Sequence, residues 1–244
     1  MHTDFVDIVG AGGPIRALVA KPEKAAGALP AVIFYSDIFQ LTGPHVRLAG
    51  RLADRGYLVL APEIYGRFEP SGTVLDFERD RQRALDDSAR VRVEDVDADR
   101  RALLAYLAGR ADVDARRVYA AGFCFGGHLP FRAAYEPSVA AVACFYPTTV
   151  HADRMGASSQ VDTLSRAREL QAPLLLVWGT RDPHIPAEGR AKIHAALDAA
   201  GARFQIASFD AEHAFMRDEG PRYDPIATDA AFEAMLAFFA RRSF

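Results

Sequence analysis

The chain has 244 residues, half of them hydrophobic, with 29 basic and 32 acidic side chains and a net charge of −3. That size buries a substantial core and allows, on length alone, one large α/β domain or two small ones. The balanced charge excludes a global field that would gather nucleic acid or an anionic membrane, and no apolar run approaches the length needed to span a bilayer.

Taken in order, FVDIV (5–9) and IRALVA (15–20) read as two short strands around the turn GAGGP. PAVIFYS (30–36) is a continuous apolar run, the pattern of a strand covered on both faces. A helix is expected over 44–55, with Leu48, Leu52 and Ala53 at helical spacing, and Gly56 stops it before the strand YLVLAP. Residues 76–101 hold seven basic and nine acidic side chains, read as a pair of solvated helices with ion pairs inside each. Leu103, Leu104 and Leu107 give the second of these an apolar end. RRVYAAG (116–122) is a strand, a helix begins near Phe125, and VAAVACFYP (139–147) is the next strand. APLLLVWGTRDPHIP (172–186) is a strand running into a loop. GRAKIHAALDAAG is a helix closed by Gly201, ARFQIASF is the last strand, and PIATDAAFEAMLAFFARR is the closing helix. From residue 30 the reading is a strict alternation of strands and helices. It predicts an α/β chain with a mostly parallel sheet and helices on both faces. No repeat or linker interrupts residues 1–244, so one domain is expected.

The stretch VYAAGFCFGGHL carries the chemistry. It places Cys124 at the carboxyl end of a strand, where parallel sheets gather functional loops. A sharp strand-to-helix turn strains its central residue, and glycines let the flanking segments approach. The side chain at the apex then points outward, under the N-terminal dipole of the next helix, which favours a thiolate. Cys144, in mid-strand, reads as core filling. The opening MHTDFVDIVG lacks an export signal, so a cytoplasmic location with reduced thiols is expected.

A nucleophile needs a base, and the base needs an orienting group. His213 in FDAEHAF and Asp182 in WGTRDPHIP each follow an apolar strand. His184 also follows one. His45, His151 and His194 have no evident partner, and His128 is expected to pack behind the turn. The order Cys124, Asp182, His213 is the order of nucleophile, acid and base in α/β-hydrolases.

With PAVIFYSDIFQLTG, LADRGYLVLAPEIYGR, GFCFGG, WGTRDPHIP and EHAFMR, the sequence resembles the dienelactone hydrolase family over nearly its whole length. The resemblance implies a single-domain α/β-hydrolase fold, without cofactor or metal, that hydrolyses small esters or lactones. It implies Cys124 as nucleophile, His213 as base and Asp182 as its orienter. The backbone N–H groups of Ile38 and Phe125 would form the oxyanion hole. Arg217, with Arg81 or Arg83, would bind a substrate carboxylate, and Phe39 and His184 would line the pocket; Phe123 and Trp178 are open between an apolar floor of the pocket and simple core. The family's glutamate beside the thiol is replaced by Asp37, one methylene shorter. Ala214 stands where a hydroxyl is offered, and His184 where an aromatic wall is typical. The expected partner is a small ester or lactone, with no nucleic acid or membrane, and a monomer is compatible with the sequence. The rival readings are a glutamine amidotransferase, disfavoured because Phe215 stands where its glutamate belongs, a non-catalytic ligand binder or sensor of the same fold, and redox sensing by Cys124.

Overall fold

Strands β1 (His2–Gly10) and β2 (Gly13–Lys21) form an antiparallel hairpin at one edge of an eight-stranded sheet. The computed structural model describes residues 1–25, 27–158 and 161–241. The remaining strands are β3 (Leu29–Tyr35), β4 (Leu58–Pro62), β5 (Val113–Phe123), β6 (Ala141–Phe145), β7 (Leu174–Gly179) and β8 (Phe204–Phe209). The order across the sheet is β1-β2-β4-β3-β5-β6-β7-β8. β2 meets β4 antiparallel, and every pair from β4 to β8 is parallel. The continuous apolar runs LVLAP, AVACF and LLLVWG are buried along their whole length, as strands covered on both faces must be. β8, at the far edge, stays partly exposed.

Neighbouring side chains of β3 reveal both helical layers. Phe34 stacks on His45 of helix α1 (Gly43–Asp54) at 4.5 Å between ring centroids. Tyr35 lines a cavity with Val96 and Leu103 of α3 (Val93–Ala108). Successive strand residues point to opposite faces, so α1 and α3 cover opposite sides of the sheet. α6 (Pro225–Phe239) joins α1: Tyr119 of β5 stacks on Phe239 at 4.4 Å, and Arg51 and Arg55 of α1 pair with Asp229 and Glu233. α4 (Phe125–Ala133) packs against α3. α2 (Arg81–Arg90) and α5 (Ala187–Ala200) complete the set, and none of these helices is long and apolar enough to cross a membrane.

Two expectations are corrected. The alternation asked for a helix between β6 and β7. The described residues there form loops with two short 3-10 turns, Val150–Ala152 and Ala167–Glu169. Side chains hold this segment instead. Asp153 Oδ1 accepts from the N–H groups of Thr163 (2.7 Å) and Leu164 (3.0 Å), and Arg132 Nη1 donates to the Val161 carbonyl (2.6 Å). Backbone groups engaged in this way are not available to a helical ladder. The charged segment 76–101 is also less solvated than its composition suggested. It does contain intrahelical pairs such as Arg90–Asp87 at 3.3 Å. Arg100, however, is 4% exposed and bridges Asp97 to Glu136, while Arg132 of α4, 2% exposed, grips the same Asp97 at 2.6 Å. Buried guanidinium groups need such compensation, and here it ties α3 to α4, the helix that begins beside Cys124.

Candidate active site

The parallel register brings the functional loops to one edge. Gly122 lies opposite Tyr35 on one side and Cys144 on the other, and Gly179 lies opposite Phe209. Cys124 follows β5 with φ of +57° and ψ of −121°, a conformation that costs a non-glycine residue about 1–3 kcal/mol. The surroundings over-determine it. Cys124 N–H donates to the Phe145 carbonyl at 3.1 Å, and its carbonyl accepts from Gly127 (3.0 Å) and Thr148 (3.1 Å). The flanking glycines are required by close approach. A Cβ on Gly126 would lie 1.9 Å from the Ser36 carbonyl oxygen, and one on Gly122 2.1 Å from the Gly126 oxygen. The thiol is half-buried at the start of α4, whereas Cys144 is wholly buried and its thiol pKa is driven up by burial.

His213 leaves β8 and is 5% exposed. Its Nδ1 lies 2.7 Å from Asp182 Oδ2, so an ionised Asp182 makes that nitrogen the donor and leaves Nε2 for chemistry. Asp182 is fixed in turn, its Oδ1 accepting from the His184 N–H at 2.8 Å. Burial would lower the His213 pKa. The charge of Cys124 and the hydrogen bonds to Asp182 and Cys124 outweigh it and push His213 from 6.5 to about 10. Burial acts on Asp182 in the opposite sense, but the His213 hydrogen bond holds its carboxyl below the ordinary value. The edges of Tyr146, 5.0 Å away, and His184, 4.6 Å away, confine the His213 ring.

Around this relay sits a cationic and aromatic rim. The Arg217 guanidinium lies over Phe77 at 4.1 Å and over Phe39 at 5.4 Å, and the two rings meet edge to face. Its Nη1 is 3.9 Å from Asp37 Oδ2. Asp37 Oδ1 accepts from the Phe39 N–H at 2.9 Å, and the carboxylate makes no hydrogen bond to Cys124. Burial raises the Asp37 pKa against the pull of Arg217. Ile38 is half-buried and Phe125 buried, and their N–H groups bond to no other described residue. The two arginine candidates on α2 differ. Arg83 is paired with Glu69, while Arg81 is exposed, has no ion pair among the described residues, and places its charge near His184.

The sequence profile of the dienelactone hydrolase family matches residues 15–243. The chain belongs to the dienelactone hydrolase family. It is 32% identical to a Saccharomyces cerevisiae protein named "Putative carboxymethylenebutenolidase", across 95% of this chain and 88% of the relative. It is 30% identical to a Pseudomonas protein named "Carboxymethylenebutenolidase", across 94% of this chain and 91% of that one. A crystal structure described as a "Putative Dienelactone Hydrolase" from Klebsiella pneumoniae superposes with a TM-score of 0.87 at 29% identity, covering 98% of both chains. The fold is thus that of α/β-hydrolases, and this dienelactone hydrolase family member is an ester or lactone hydrolase.

Several residues of this family member lie elsewhere than the sequence reading put them, or escaped it. Trp178 is core, 1% exposed, and its Nε1 donates to His194 Nε2 at 3.0 Å, which gives His194 a partner. His45 has one too, its Nε2 meeting the Phe34 carbonyl at 3.2 Å, and burial pushes its pKa down to about 3. With Phe123, Tyr146 and Arg217 it lines a small pocket beside the site. His128 packs on Thr163 Oγ1 at 2.8 Å. Phe77, Tyr146 and Tyr65 went unnoticed. Phe77 stood out as the lone aromatic among the charges of 76–101, and Tyr146 as the residue next to the end of an apolar strand. Tyr146 adopts φ of +36°, and Ala214, next to His213, adopts φ of +62°. Tyr65 is fully buried, and its pKa is raised by burial and then by the charges of Cys124 and Asp37.

Proposed function

We propose that this enzyme cleaves small, carboxylate-bearing esters or lactones through a thioester on Cys124. The observation that carries this reading is the His213 imidazole held between Asp182, 2.7 Å from its Nδ1, and Cys124, partners that raise its pKa. An imidazolium at neutral pH is the partner that a thiolate nucleophile needs. The thiolate attacks the carbonyl carbon, and the N–H groups of Ile38 and Phe125, which bond to no other described residue, receive the oxyanion. His213 gives its Nε2 proton to the leaving oxygen as the C–O bond breaks. In a lactone that oxygen stays tethered to the acyl group. Neutral His213 then takes a proton from water, the hydroxide adds to the thioester, and the C–S bond breaks to return the thiolate and the acid. Asp182 holds the tautomer and the charge of His213 throughout.

The rim supports an anionic substrate. Arg217 lies over two aromatic rings, more than hydrogen-bond distance from Asp37, and Arg81 is unpaired among the described residues. Phe39 and His184 supply walls. Asp37 occupies the thiol-modulating position of the family glutamate and acts through Arg217 and the local field, since it makes no hydrogen bond to the thiol. Cys124→Ala tests the reading: kcat on p-nitrophenyl esters should fall on the order of a thousandfold or more, with the fold intact by circular dichroism. Wild-type turnover in that variant would end the nucleophile assignment.

A further inference from the structure

We infer that Arg47, on α1, is a positioning residue for anionic substrates: it captures Asp218 and Glu219, the two acids that follow Arg217, and so leaves the Arg217 guanidinium free to face the pocket. The inference rests on the reading of Arg217 as the carboxylate-binding group.

Arg217 lies in the loop between β8 and α6, next in sequence to two carboxylates. Left alone, those carboxylates would compete for the Arg217 guanidinium and repel an anionic substrate at the mouth. Both are instead taken by Arg47. Its Nε donates to Asp218 Oδ2 at 2.7 Å, and its Nη2 to Asp218 Oδ1 at 2.5 Å and to Glu219 Oε1 at 2.7 Å. The planar fork of a guanidinium suits such a grip, and a lysine would supply the charge without the fork. The space for it is specific. Gly43, one helical turn earlier, has no side chain where a Cβ would lie 2.9 Å from Arg47 Nη1 and 3.1 Å from Glu219 Oε1. Thr42 and Pro44, on either side of that glycine, line the same cavity as Arg217. The grip therefore joins the α1 start and the Arg217 loop at the pocket itself. Arg51 and Arg55 continue the ladder to Asp229 and Glu233 of α6, away from the loop, and provide an internal control.

The test uses two p-nitrophenyl esters matched in acyl length, one ending in a carboxylate and one in a neutral amide. Arg47 is half exposed, so the effect is moderate: Arg47→Ala should raise KM for the anionic ester about fivefold, with kcat and the neutral ester changed less than about twofold. Arg47→Lys should recover part of the loss. Arg47→Ala combined with Asp218→Asn and Glu219→Gln should restore the anionic KM, because the competing charges are gone. Arg55→Ala should leave the ratio of the two esters at its wild-type value. The inference is overturned if Arg47→Ala shifts both esters equally, or if the triple variant stays as poor as Arg47→Ala. Arg217→Ala separates the two levels. If it affects both esters alike, the carboxylate reading itself falls. If it discriminates and Arg47→Ala does not, only the role of Arg47 falls.

Discussion

At the apex of the elbow, the Cys124 N–H and carbonyl are both engaged, by Phe145, Gly127 and Thr148, and three glycines are packed against backbone with no room for a methyl group. The rim around Arg217 is built differently. Its guanidinium is held only by ring faces and a carboxylate at 3.9 Å. The first region is fixed by contacts that cannot be loosened without breaking the sheet. The second is fixed by charges and can be retuned one side chain at a time. Under the proposed function, the reaction thus rests on the rigid part and the choice of substrate on the adjustable part.

Substituting each region should expose this contrast. The largest effect is expected at Gly126→Ala, where the new methyl would meet the Ser36 oxygen at 1.9 Å. The loss should be about 3 kcal/mol, or roughly 10 °C in Tm by thermal unfolding, with activity lost in parallel. A near-normal Tm would mean that the elbow yields more than its packing indicates. Next comes pH. His213 is raised in the folded protein, so its stabilisation is complete below the unfolded value of 6.5 and is lost as pH rises toward about 10. Denaturant midpoints should fall across that window, and fall less in Cys124→Ala, which removes one source of the shift. Identical profiles would uncouple the thiol from the imidazole. The smallest effect belongs to the rim: Arg81→Ala should raise KM for an anionic ester about threefold, and Arg83→Ala, paired as it is with Glu69, should not. The reverse result would reassign the second arginine.

What the sequence disclosed follows the same division. Cys124 was legible because the elbow is local: glycines two before and two and three after a residue at a strand end encode the turn directly. That Asp182 and His213 would meet was legible from chain order, each in the first loop after an apolar run. The sheet and its parallel run followed from the alternation of strands and helices. The missing helix between β6 and β7 was not legible, since what replaces it is side-chain bonding from Asp153 and from Arg132 on another element. Nor was the rim. Arg47 and Asp218 are 171 positions apart, and Phe77 likewise reaches Arg217 from a distant part of the chain. Contacts of that kind leave no periodic trace, so the arginines could be named as candidates but not sorted.

The backbone of the elbow also sets when the thiol acquires its character. Cys124 is held by Phe145 of β6, Gly126 rests on the end of β3, and the imidazole arrives from beyond β8. No two of these segments are near one another along the chain, and closing such distant loops comes at the expense of chain entropy that only a registered sheet returns. A chain still emerging from the ribosome therefore carries an ordinary cysteine at this position. On the proposed reading of Cys124 as the nucleophile, its reactivity is a property of the finished sheet, which protects the nascent polypeptide from its own chemistry until every partner is in place.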